Sequence, residues 1–220
     1  MKEFEIEKIE TRTLKDKIYD IVKMSVLKNE FPADNYITEN ELAIKLNVSR
    51  TPLREAMQEL VSEDLIEFKP RKGYKQKNHT LEEIYQIFKL RLIIEKEIIR
   101  PLLENIKNED IKSLKNIIER QKFATSTNDQ HSFMNLDKEF HRKMFLISDY
   151  NIFLKAYDIY HNLTILIGTK AISNTGRMEK VIEEHVQIIE SIEKKDSKQL
   201  EKAIEEHLKT TKETFIHKRY

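Results

Sequence analysis

Cysteine is absent from this 220-residue chain, and glycine and proline are scarce at 3 and 4. Without thiols there is neither a disulfide framework nor a thiolate metal site. Three glycines leave little from which to build a phosphate-cradling loop, and no His-Glu-x-x-His run occurs, so nucleotide-binding and zincin-type chemistry are set aside. No apolar run is long enough to span a bilayer. The acidic, lysine-rich start lacks the apolar core of a signal peptide, so a cytoplasmic location with no membrane partner is expected. Few chain breakers, 35% charged and 39% hydrophobic residues describe a soluble, helix-rich protein. Its length suits one large or two small domains, either able to bury a core. The net charge of +1 carries no message by its sign.

The local distribution of charge says more. Residues 39–74 read as two short helices around a tight turn, followed by a basic β-hairpin. Leu42, Ala43 and Leu46 form the apolar stripe of the first helix, and Asn47-Val48 supplies the turn. Ser49 stands where its hydroxyl could accept from the free N–H groups of a second helix. Leu53, Ala56, Met57 and Leu60 recur at helical spacing and give that helix a buried face. Arg50, Thr51 and Arg54 lie near its start and off that face, where a recognition helix meets bases and phosphates. Leu65–Phe68 reads as a strand, Pro70–Gly73 as a turn and Tyr74–Lys77 as the return strand. Between Phe68 and Asn78 lie Lys69, Arg71, Lys72, Lys75 and Lys77 with no acid, the charge pattern of a wing along phosphates. Upstream, Leu14, Ile18, Ile21, Val22 and Val26 predict a first helix beneath the pair. Residues 1–78 hold as many acids as bases, so the case rests on segregation of charge rather than on its total.

The run NVSRTPLREAMQELVSEDLIEFKPRKGY resembles the DNA-binding signature of the GntR family of bacterial transcription regulators. The match runs through Ser-Arg-Thr-Pro, the following Leu-Arg-Glu-Ala, and the Pro-Arg-x-Gly wing. The resemblance implies that Arg50, Thr51 and Arg54 contact DNA and that Arg71, Lys72 and Gly73 form the wing tip. Many relatives carry arginine where this chain has Asn40.

From residue 79 onward the pattern is helical throughout. Thr80 with Glu83 three residues on predicts a capping box at a domain boundary. Helices are expected near 80–104, 109–125, 129–148, 151–170, 175–194 and 197–217, with Pro101 disturbing the end of the first and breaks at Asn128-Asp129, Ser173–Thr175 and Lys195–Ser197. The expected architecture is mainly α: a winged helix-turn-helix over 1–78, then an antiparallel six-helix bundle over 79–220. Ile84, Ile87 and Phe88 are expected on its outer faces, where a second copy would dock.

Histidines carry the candidate chemistry of that bundle. Asp137 and His141 are four apart and share a helical face. His185 stands in VIEEHVQII and His207 in AIEEHLKTT. Three imidazoles and one carboxylate converging in a core would hold a divalent ion and leave positions open for ligand. A lone helical histidine is ordinarily a surface or satisfied core residue, and His79, His131, His161 and His217 are read so.

This region resembles the FCD ligand-binding domain of the FadR branch of the GntR family, and six short helices resemble its VanR-like subgroup. In metal-binding members an Asp-x-x-x-His joins two histidines on the last two helices, which implies Asp137, His141, His185 and His207 as ligands. Zinc is implied first, with nickel or manganese as alternatives. Arg91 matches an arginine that in relatives often faces the effector cavity; the competing reading is an ion pair with Glu95 on the helix surface.

Three functions are weighed. The first is a DNA-binding regulator, homodimeric on an inverted-repeat operator, whose affinity a small carboxylate controls through the metal. The second is a sensor of the metal itself, and the third a helical-bundle metalloenzyme. A di-metal enzyme needs Glu-x-x-His pairs on two helices, and Ile182 and Ile204 stand three before His185 and His207. Soft-metal sensors want thiolates. The carboxylate-responsive regulator is therefore the reading adopted, with no enzyme activity expected.

Overall fold

The computed structural model describes residues 12–172 and 176–219. The chain divides into two compact units, residues 1–77 and 78–220.

The first unit is three helices and a hairpin. Helix α1 (Leu14–Leu27) begins in a capping box between Thr13 and Asp16 and buries Ile18, Val22 and Val26. Leu14 and Ile21, expected on that face, point outward at 49% and 56% exposure. A helix lying on one neighbour buries only a stripe, and these two fall at its edge. Helix α2 (Glu39–Leu46) starts in a second capping box, Thr38 with Glu41, and ends at Asn47, whose φ of 52° makes the expected turn. Helix α3 (Arg50–Ser62) buries Leu53, Ala56, Met57 and Leu60 completely. Ser49 takes the N-cap backbone position but makes no side-chain cap bond, so its hydroxyl does not do what the sequence suggested.

Strands β1 (Ile66–Lys69) and β2 (Gly73–Gln76) pair antiparallel, with Phe68 opposite Tyr74. Ile37 adds an isolated bridge to Tyr74. Gly73 is required where it stands. Its φ is 106°, and a Cβ there would lie 2.1 Å from the Ile37 carbonyl oxygen.

In the second unit the expected first helix is two. Helix α4 (Leu81–Glu97) opens on the Thr80–Glu83 capping box and gives way at Ile98 to α5 (Ile99–Asn105). Pro101 explains the break: it has no N–H for the Glu97 carbonyl, and its ring crowds that group. In the first turn of α5 the same missing N–H costs nothing. The rest are α6 (Asn108–Ser126), α7 (Gln130–Ser148), α8 (Asn151–Ile172), α9 (Arg177–Glu193) and α10 (Ser197–Arg219). Counting the broken helix once, the six expected helices are present among the described residues; the expected break at 173–175 lies outside them. Helix α6 packs on α7 and α9, α7 on α8, α9 on α10, and α4 on both α8 and α10. Ile84 and Phe88, expected on an outer face, are instead 1% and 5% exposed and pack with Phe215, with Ile87 partly buried beside them. The face of α4 that carries them is covered by α10, an element no local pattern could have placed there. No helix among the described residues is long and apolar enough to cross a membrane.

Candidate nucleic-acid interface and metal centre

At the start of α3, Arg50, Thr51 and Arg54 are all exposed, as a reading helix requires. Both arginines are held by the preceding helix. Arg50 Nη2 donates to Asn40 Oδ1 at 2.5 Å, and Arg54 donates twice to the Glu39 carboxylate at 2.7 and 3.0 Å. Asn40, the departure from the family pattern, thus touches the arginine beside it. In the hairpin, Arg71 and Lys72 are exposed at the tip, with Arg71 at a positive φ of 65°. Gly73 is buried against Ile37, so it shapes the wing rather than presenting itself.

The second candidate site lies inside the helical unit. Asp137 and His141 come from α7, His185 from α9 and His207 from α10. All four are buried, and each offers a ligand atom within 4.8 Å of the others. Asp137 Oδ1 and His185 Nε2 are already 3.4 Å apart, and donors about 2.1 Å from one ion stand roughly 3–4 Å apart. Phe140 stacks on His185 with ring centroids 4.2 Å apart, which fixes that ring.

What orients the imidazoles lies outside the four. His141 Nδ1 donates to Glu95 of α4 at 3.0 Å, His185 Nδ1 to Gln121 of α6 at 2.9 Å, and His207 Nδ1 to Glu184 of α9 at 2.8 Å. An ionised carboxylate and an amide oxygen only accept, so Nδ1 carries the proton and Nε2 keeps its lone pair. All three Nε2 atoms are buried with no hydrogen-bond partner. Three bare lone pairs and a carboxylate facing one point are a donor set that fits a divalent ion, and the outer carboxylates and amide are the usual support for such ligands.

Each supporting acid is itself held. Glu95 is fully buried and takes Arg91 Nε at 2.5 Å. Glu184 takes Arg177 at 2.7 and 3.0 Å, and Arg177 also reaches Thr211. Burial alone would raise the Glu95 carboxyl, but His141 and Arg91 outweigh it and pull it down to about 2. Asp137 goes well below the carboxylate range, its burial overcome by His185, His141 and Arg91. Burial drives His141 down, and His185 down to about 3.

Of the two sequence readings of Arg91, the ion pair is seen directly. The ion pair with Glu95 exists, but it is buried rather than on the surface, and Arg91 Nη2 is left without a protein partner. Gln121, Glu184 and Arg177 were not picked out from the sequence, and Glu95 only as a surface partner of Arg91. The Glu-Glu-His spelling of residues 183–185 held one clue, though Glu184 serves the histidine of the next helix. His161, read as a structural histidine of the surface or core, is buried with neither ring nitrogen partnered. His131 is half-buried beside Asn135, and the His217 side chain lies outside the described residues.

Comparison with known proteins gives these sites a setting. The profile of bacterial regulatory proteins of the gntR family matches residues 14–75, and that of the FCD domain residues 86–210. The chain is 23% identical to the HTH-type transcriptional repressor RspR of Escherichia coli, over 93% of this chain and 90% of that one. It is 26% identical to the gluconate operon transcriptional repressor of Bacillus licheniformis, over 80% and 74%. Among solved structures, E. coli McbR/YncC superposes with a TM-score of 0.81 at 16% identity, covering 96% of this chain and all of the other. That likeness speaks for the fold. With an exposed arginine-bearing helix and a basic wing in one unit and a helical domain in the other, the chain is a DNA-binding transcriptional regulator of the GntR family, in the group that carries an FCD domain.

Proposed function

We propose that operator affinity is controlled by a small organic acid bound at a divalent ion in the helical unit. The observation that carries this reading is the set of three unpartnered, buried Nε2 atoms facing Asp137. Asp137, His141, His185 and His207 would hold the ion, which when bound would offer open positions to a carboxylate. Oxygen and nitrogen donors without thiolate suit zinc, with nickel or manganese as alternatives.

Charge supports an anion as the signal. Asp137, Glu95 and Glu184 bring three negative charges, and Arg91 and Arg177 two positive ones. Ligating imidazoles are neutral, so the buried set stands at minus one; a divalent ion makes it plus one, and a monoanion brings it to zero. A buried net charge is costly, so binding of a monocarboxylate is favoured. The name of the gluconate operon repressor points to the same class of ligand.

On the DNA side, Arg50, Thr51 and Arg54 would read the major groove while Arg71 and Lys72 lie along phosphates. One small winged unit makes few base contacts, and a homodimer on an inverted repeat doubles them. Because Ile84 and Phe88 are core, a dimer face would draw on other exposed apolar residues of the helical unit, such as Ile93, Ile152 and Ile159. Acid binding would act on α4 through Arg91 and Glu95, and α4 follows the wing directly in the chain.

The test combines elemental analysis of protein purified without chelator with gel-shift titrations, with and without candidate acids. Metal at one per chain, and an acid response lost in His185→Ala while basal DNA binding persists, is the expected result. Protein free of metal, or a response unchanged in His185→Ala, would refute the mechanism. A response to metal with none to any acid would instead favour direct metal sensing.

A further inference from the structure

A small cavity of about 10 Å³ lies between α4 and α8, lined among others by Arg91, Ile94, Tyr157, His161 and Thr164. Two of these residues carry buried hydrogen-bonding atoms with no partner among protein groups. Arg91 is 4% exposed, and its Nη2 has no partner among protein groups. His161 is 1% exposed, and both ring nitrogens lack one. Its ring is fixed beside Tyr157, with centroids 4.9 Å apart. Burial, with Lys138 and Arg91 nearby, holds this imidazole well below its ordinary range and so neutral. A guanidinium only donates; a neutral imidazole offers one donor and one acceptor. Leaving such atoms buried and unanswered is unfavourable, and their occurrence at one cavity from two helices calls for a polar group there. The cavity is linked to the candidate metal centre through one carboxylate. Glu95 takes Arg91 with one oxygen and His141 with the other, at 2.5 and 3.0 Å.

We infer that this cavity receives a hydroxyl group of the effector, with Arg91 and His161 as its specificity-determining partners, so that the protein selects a hydroxylated monocarboxylate. This deepens the acid-binding reading above and rests on it. Three considerations choose a hydroxyl over a second carboxylate. The volume suits one polar atom and not the three heavy atoms of a carboxylate. A hydroxyl oxygen accepts from Arg91 while its hydrogen goes to the bare imidazole nitrogen, which a carboxylate cannot supply. And one carboxylate already brings the buried charge to zero, so a second would leave an uncompensated negative charge.

The experiment is calorimetric titration of zinc-loaded protein with matched acids of increasing chain length: propionate, 3-hydroxypropionate and malonate, then butyrate, 4-hydroxybutyrate and succinate, with gluconate as a polyhydroxy probe. At the chain length that spans the site, the hydroxy acid is expected to bind at least about tenfold tighter than the deoxy acid and the diacid, because a site built to hydrogen-bond a hydroxyl rejects the analogue lacking it. His161→Phe should erase this preference with metal content unchanged, and His161→Gln, which keeps a donor and an acceptor, should restore much of it. Equal affinities for hydroxy and deoxy acids, tighter binding of the diacid, or an undiminished preference in His161→Phe would overturn the inference and leave an ordered water as the group that answers these atoms. If His161→Phe does not fold, the wild-type series and His161→Gln decide. Failure of every acid to bind would instead sink the acid-sensing reading itself, and this inference with it.

Discussion

Replacing Glu95 with glutamine is the most searching perturbation of the helical unit, because this one carboxylate serves both Arg91 and the ligand His141. The Arg91 and Glu95 side chains are 5% and 0% exposed and meet at 2.5 Å. A carboxyl pulled from 4.5 to about 2 favours its ionised form by roughly 3 kcal/mol. Removing one partner of a buried pair independently suggests about 3–5 kcal/mol, because the other charge is stranded. Glu95→Gln strands the Arg91 guanidinium, while the amide oxygen can still accept from His141. We therefore expect a loss of about 3–5 kcal/mol and, at about 2–4 °C per kcal/mol for a chain of this size, a melting temperature lower by roughly 6–20 °C. Zinc affinity should fall by about 10–100-fold, the usual effect of losing a partner behind a ligating imidazole. Arg91→Met should destabilise by a similar amount, and the double variant by clearly less than the sum. Circular-dichroism melts of chelator-treated protein, with a competition assay for zinc, measure all three. A Glu95→Gln protein melting within a degree or two of wild type would refute the reasoning, since it would mean that water or another group already serves Arg91.

Other predictions follow from the same geometry. Arg54→Ala should abolish specific operator binding in a gel shift, at about 1–3 kcal/mol per half-site, and it also leaves Glu39 facing phosphates unneutralised; normal binding would displace the recognition surface from the start of α3. Lys72→Ala should weaken binding less and flatten its salt dependence. Gly73→Ala should disorder the hairpin, because the new methyl meets the Ile37 carbonyl at 2.1 Å, and wild-type stability and DNA affinity would show that the bridge to Ile37 does not persist in solution. For the chelator-treated protein, His141, His161 and His185 have folded pKa values below their unfolded ones, so the stability they contribute is complete above about 6.5 and is lost as pH falls toward about 3. The lowered carboxyls of Asp137, Glu95 and Glu184 extend that loss further into acid. Melting temperature should therefore decline steadily below about pH 6.5, and a flat profile down to pH about 5 would contradict the burial of these imidazoles.

Much of this protein is local and therefore legible in one dimension. The buried face of α3, the capping box at Thr80, the left-handed Asn47 and the hairpin turn depend on residues within a few positions of one another. The break at Ile98 belongs with them, since Pro101 acts on a carbonyl four residues back. The shared face of Asp137 and His141 follows from helical spacing, but their meeting with His185 and His207 came from a family resemblance, because no periodicity brings three helices to one point. What tertiary structure alone decided is which helix lies behind each ligand. Glu95, Gln121 and Glu184 reach their histidines across 46, 64 and 23 residues of chain, and no local pattern ties any of them to the histidine it serves. Ile84 and Phe88 became core, and His161 an unanswered imidazole, for the same reason: burial is set by what packs on a face, and hydrophobic periodicity records only that a face exists.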